Sequence, residues 1–151
     1  MTRYLLGTNI ISNATKPRPS EALLAWMVEQ RDADLCISTL SLAEIRRGIL
    51  QKDEGRKRRD LEAWYVGPDG PPALFHGRIL GFDEPAAVAW AEIMADGARR
   101  GAPRSAMDML VAAIARVGGC TAVTDNERHF RGVVEVLNPM RSPSEGDAER
   151  S

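Results

Sequence analysis

The sequence predicts an α/β domain: a parallel central sheet of four to five strands flanked by helices. Three observations predict it. Short apolar segments alternate with longer helical patterns along most of the chain. Most of those segments, such as "YLL", "LCIS" and "CTAV", lack the polar alternation of a sheet with one wet face. The length of 151 residues, 44% hydrophobic and 27% charged, suits one domain with a substantial core.

The elements follow in order. Residues 3–6 read as the first strand. Thr8 or Asn9 is placed to cap a short helix ending near Asn13. "KPRP" at 16–19 is a loop. Ser20 caps a helix to about Gln30, with Leu23, Leu24, Met27 and Val28 on one face. "LCIS" at 35–38 is the second strand, and "TLSLAEIRRGIL" the helix after it, with Leu40, Ala43 and Leu50 among its apolar positions. From Asp53 to Phe75 the chain is helical and at first basic, interrupted by the turn signal "VGPDGPP" at 66–72. "RILGFD" at 78–83 holds a third strand, and Asp83 caps a helix to Arg100 whose apolar stripe reads Val88, Ala91 and Met94 or Ala95. After "GAPR", residues 105–117 form a helix apolar nearly all round, which should be mostly buried. "CTAVT" at 120–124 is the fourth strand, and "VVEVLNP" at 133–139 contains a fifth. The domain thus spans 1–140, and the polar segment 141–151 reads as a disordered tail.

Composition excludes several classes. No apolar run approaches the roughly 20 residues that span a bilayer, and the opening segment is a poor signal peptide, so a cytoplasmic protein is expected. Cys36 and Cys120 each lie in an apolar segment and read as buried free thiols. The net charge of −1 does not advertise a nucleic-acid partner. Locally the balance differs: Arg46, Arg47, Lys52, Arg56, Lys57, Arg58 and Arg59 form a basic run, and Arg99, Arg100 and Arg104 a second cluster. A solvated helix face explains each cluster taken alone.

In a parallel α/β sheet, ligands sit beyond the carboxyl ends of the strands. Three regions there carry acids. Glu44 lies early in the helix after the second strand, where a local pair with Arg47 is the plain explanation. Asp108 sits in the most apolar helix, and a carboxylate there is costly unless a partner such as Arg104 or a cation offsets it. Asp125 and Asn126 follow the fourth strand directly; helix capping accounts for one of them. An oxygen-only set of this kind suits Mg²⁺ or Mn²⁺ rather than zinc. A divalent ion so held suits phosphodiester hydrolysis, and the basic clusters would then serve as phosphate contacts, with Arg46, Arg47 and Arg104 as candidates. A nucleotide-binding regulator would need a glycine-rich loop after the first strand, and "GTNIIS" holds one glycine.

"YLLGTNIIS", "SLAEIRRGI", "PRSAMDMLVAAIA", "VTDNERHF" and "VEVLNP" occur in this order. Together they resemble the PIN-domain toxins of the VapC type, ribonucleases of toxin–antitoxin pairs, over about residues 3 to 139. The resemblance implies a Rossmann-like PIN domain, an endoribonuclease dependent on Mg²⁺ or Mn²⁺, a homodimer, and a small antitoxin partner. It places the family's acidic quartet at position 7, at Glu44, at Asp108, and at Asn126 with Asp125 as its substitute. Thr8 and Thr124 would supply supporting hydroxyls. The chain departs from the pattern at position 7, where Gly7 stands in place of the family's aspartate. The expectation is weakened metal binding and impaired hydrolysis on an intact fold. The alternative is a naturally non-catalytic PIN protein that binds RNA or an antitoxin.

Overall fold

The computed structural model describes residues 2–141; the tail expectation falls almost wholly outside them. Five parallel strands form one sheet in the order β3-β2-β1-β4-β5. They are β1 (Arg3–Leu6), β2 (Leu35–Ser38), β3 (Ile79–Leu80), β4 (Cys120–Val123) and β5 (Val136–Leu137). β1 is central: Leu5 pairs with Cys36 of β2 and with Ala122 of β4. The helices are α1 (Thr8–Thr15), α2 (Glu21–Glu29), α3 (Thr39–Leu50), α4 (Arg56–Val66), α5 (Pro71–Leu74), α6 (Glu84–Arg99) and α7 (Ala106–Val117).

Strand pleating sends successive side chains to opposite faces, and this divides the core in two. Leu5, Cys36 and Ala122 face a layer made by α6 and α7. Leu6, Leu35, Ile37 and Val123 face Ile10 and Ile11 of α1, Leu23 of α2, and Ile45 and Ile49 of α3. Both faces of the sheet are therefore dry, which is why the strands read as unbroken apolar runs. Both cysteines are buried and free, as expected. Burial holds the Cys120 thiol above its ordinary range, so it stays protonated. Among the described residues no helix is long and apolar enough to cross a membrane.

The caps and faces test the local reading. Ser20 and Asp83 cap α2 and α6, accepting from the backbone N–H of Leu23 and Ala86 at 3.3 and 3.0 Å. α1 differs: its cap residue is Gly7, with no side-chain bond, and the helix runs to Thr15 rather than Asn13. In α3 the buried positions are Ser41, Ile45 and Ile49, while Ala43 and Leu50 are exposed. Leu24 and Val28 of α2 are likewise exposed. In α6 the buried stripe is Ala86, Ala89, Ile93 and Gly97; Val88, Ala91 and Ala95 face outward. Small residues let the chain pack closely there: a Cβ added at Gly97 would lie 3.0 Å from the Ala102 carbonyl in the α6–α7 connection. α7 itself is not buried all round, since Met107 and Val117 are exposed.

Candidate active site

The carboxyl ends of β1, β2 and β4 open onto a cleft of about 100 Å³. Gly7, Thr8, Glu44, Asp108, Thr124 and Asn126 all line it. The sheet thus gathers residues that lie more than a hundred positions apart in the chain.

Each side chain is placed by a local cause. β2 ends at Ser38, whose hydroxyl caps α3 by accepting from the Ser41 N–H at 3.1 Å. Glu44 follows from that helix start, with its carboxylate turned back to the cleft. Thr8, the first residue of α1, lies 3.1 Å from Glu44 Oε1, to which its hydroxyl donates, and 3.1 Å from Ser41 Oγ. Glu44 therefore leans on Thr8 across the cleft rather than on Arg47. Asp108 sits in the first turn of α7, where Ser105 caps the helix and accepts from the Asp108 N–H at 3.3 Å. An acid in the first turn is favoured by the helix dipole.

Asp108 is 30% exposed, so it opens to the cleft instead of lying in the core. Its partner is not Arg104. His129 Nδ1 stands 2.7 Å from Asp108 Oδ2, and the Asn126 amide is 2.8 Å from the same ring nitrogen. The sequence reading missed this histidine, although it lies inside the quoted motif "VTDNERHF". Thr124 Oγ1 accepts from the Asn126 N–H at 3.0 Å and so fixes the turn that carries these groups. The turn also separates the two alternatives at the end of β4. Asn126 lines the cleft, whereas exposed Asp125 accepts from Asn9 at 3.3 Å.

Gly7 is the point of departure. Its backbone has φ −71° and ψ 162°, an extended conformation open to any residue. Its N–H donates to the Val123 carbonyl at 2.9 Å, and its own carbonyl accepts from Ile10 and Ile11. A Cβ added there would meet the Val123 carbonyl at 3.1 Å, a contact that asks for a shift of a few tenths of an ångström. Glycine is thus not required by backbone torsion. Among the described residues no three histidine, cysteine, aspartate or glutamate side chains gather closely enough to hold a metal ion. The oxygen donors at Glu44 and Asp108 are of the right chemistry for Mg²⁺ or Mn²⁺, and position 7 adds no carboxylate to them.

The three arginines named as phosphate contacts are differently placed. Arg46 lies 3.7 Å from Glu62 and over the Tyr65 ring. Arg47 is exposed on α3. Arg104 donates to Asp96 at 3.3 Å and to the Ile93 carbonyl at 2.7 Å, which ties the α6–α7 connection down. Asp96 is held below the usual carboxylate range by Arg100 and, secondarily, by Arg104.

A parallel α/β domain with an acid-bearing cleft at the carboxyl ends of its central strands places a ligand site there. The chain belongs to the PIN-domain family, whose model matches residues 4–135. It is 35% identical to the toxin FitB of Neisseria gonorrhoeae, over 89% of this chain and 96% of that protein. It is 32% identical to the VapC ribonuclease Y4jK of Sinorhizobium fredii, over 89% and 96%. Among solved structures it is similar to the crystal structure of FitAcB from Neisseria gonorrhoeae, with a TM-score of 0.85 at 33% identity, covering 92% of this chain and 99% of that one.

Proposed function

We propose that this chain is the toxin of a toxin–antitoxin pair, a PIN-type endoribonuclease whose hydrolysis is strongly impaired by Gly7. The observation that carries the reading is the cleft itself. Glu44, Asp108 and Asn126 stand where a phosphodiester could be held, with Thr8 orienting Glu44 and His129 holding Asp108. The missing group is a side chain and not a piece of the scaffold. Mg²⁺ or Mn²⁺ is the cofactor of the intact site, and its loss is assigned to position 7; a bound ion would supply charge stabilisation and an activated water. The place of action is the cytoplasm, and the active unit a homodimer.

As the antitoxin's seat we propose a second, apolar cleft of about 400 Å³ among α1, α2, α4 and α5. Leu24, Val28 and Leu74 are exposed along it. Exposed apolar side chains gathered along one cleft favour an interaction site. The deciding experiment is Gly7→Asp. With Mg²⁺ or Mn²⁺ it should cleave RNA and arrest growth, at a rate at least about 100-fold above the chain as it stands, the scale of losing one electrostatic contact at a reacting centre. No gain in either readout sinks the impaired-nuclease reading in favour of a natural binding protein.

A further inference from the structure

A separate cleft of about 330 Å³ lies beside the acidic one, lined by Arg104, Ser105, Arg128, His129 and Arg131 together with Ala102 and Pro103. No aspartate or glutamate is among its lining residues. The two clefts meet at His129, whose ring nitrogen touches both Asp108 and Asn126 of the acidic cleft. Arg104 is a wall of this second cleft, being engaged with Asp96 and the Ile93 carbonyl. Arg128 and Arg131 are exposed at its mouth. Arg131 pairs with Glu127 at 3.5 Å through Nη2, while Arg128 takes part in no ion pair among the described residues.

The basic run of α4 lines neither cleft, and part of it is answered by its own acids. Arg58 pairs with Glu62 at 3.0 Å, Arg46 approaches the same carboxylate, and Arg56 faces Asp60. Of the cations that line the second cleft, Arg128 and Arg131 are the exposed ones, and the sequence patterns did not single them out. A nucleic-acid strand entering an acidic cleft is repelled there, and cations flanking that cleft offset the repulsion on the neighbouring phosphates.

We propose that this cleft takes the backbone phosphate of single-stranded RNA next to the one held in the acidic cleft, with Arg128 and Arg131 as its contacts. The proposal rests on the ribonuclease reading and adds a direction to it: the strand leaves the site over the start of α7. The cleft volume lies within the range of small-ligand sites, enough for a phosphate and its sugar.

The test is fluorescence anisotropy of a labelled oligouridine on the full chain in EDTA, between about 50 and 200 mM salt, conditions over which phosphate contacts declare themselves. The double variant Arg128→Ala/Arg131→Ala should bind at least about tenfold more weakly. Its slope of log affinity against log salt should fall by about 1.4, from roughly 0.7 per phosphate contact on a single strand. Arg128→Ala alone, which breaks no ion pair described for this chain, should show about half that change in slope. Lys57→Ala/Arg59→Ala, at positions that line neither cleft, should bind as the unaltered chain does. Unchanged affinity and slope in the double variant overturns the proposal and leaves the ribonuclease reading standing. So does a variant that keeps its RNA affinity but loses binding to polyglutamate, which would assign the cleft to an acidic protein segment. If the unaltered chain does not bind the oligouridine and Gly7→Asp does not cleave RNA, the ribonuclease reading falls and this proposal with it.

Discussion

Two strand-to-helix junctions lie side by side, at the ends of β1 and β2, and they are built in opposite ways. At the second, Ser38 is fully buried and its hydroxyl accepts from the Ser41 N–H, so the side chain secures the helix start. At the first, Gly7 offers no side chain, and the backbone alone makes the turn through Val123, Ile10 and Ile11. Both junctions hold their helices. The difference teaches that the scaffold at position 7 is self-sufficient: a side chain there would serve the cleft and not the fold. At Ser38 the reverse holds, since its side chain serves the fold and reaches the cleft only through Ser41 and Thr8.

The largest effect that would break this contrast is chemical. Gly7→Asp should raise Mg²⁺-dependent RNA cleavage by at least about 100-fold, measured as product from a defined transcript; a small change would mean that position 7 does not serve the chemistry. Next comes metal linkage. In Gly7→Asp, Mn²⁺ at about 100 times its dissociation constant should stabilise the fold by about 2.7 kcal/mol, read as a rise in Tm, while the chain as it stands should show almost none. A smaller effect belongs to the other junction. Ser38→Ala should cost about 1–2 kcal/mol in denaturant unfolding, through loss of the cap and exposure of a buried donor to no partner. The smallest is Gly7→Ser, which adds a capping hydroxyl without a charge. It should change stability by only a few tenths of a kcal/mol, about the gap between serine and glycine at this position, and should restore no cleavage. If Gly7→Ser unfolds the chain, the first junction is not self-sufficient.

Much of this was legible in the sequence, and the failures have physical causes. The strands were readable because both sheet faces are dry, so Tyr4–Leu6 and Cys120–Val123 carry no confusing polar alternation. The caps at Ser20 and Asp83 were readable because capping is a local matter of three residues. The α6 face was misread because alanine occupies positions 86, 87, 89, 91, 95 and 98. With small apolar residues on every side, periodicity does not choose a stripe, and at Gly97 the choice is made by the close approach of the α6–α7 connection. Leu24 and Val28 were placed inward because periodicity reports an apolar face without saying whether the same chain covers it. In the site, Glu44 and Asp108 stood out as acids in apolar company. Thr8 was placed in the site as a supporting hydroxyl by the resemblance, but its contact with Glu44, 36 residues away, and that of His129 with Asp108, 21 away, were not legible. Contacts across strand ends are set by sheet order, which sequence spacing does not encode. Arg104 was read as a partner of Asp108 or a phosphate contact; it engages Asp96 instead, and that depends on how α6 and α7 fold back on each other.

The sheet order has a consequence in time as well as in space. β1 is made first in synthesis, yet it sits at the centre and pairs with β4, so Leu6 waits for Val123 before its second neighbour exists. Pairings this distant along the chain are slow to close, and they leave an apolar strand edge open meanwhile. Thr8 and Glu44 come together from the first third of the chain, but Asp108 and Asn126 join only after most of it has emerged. The cleft is therefore among the last parts of the molecule to form, and an unfinished chain carries half a site and no complete one.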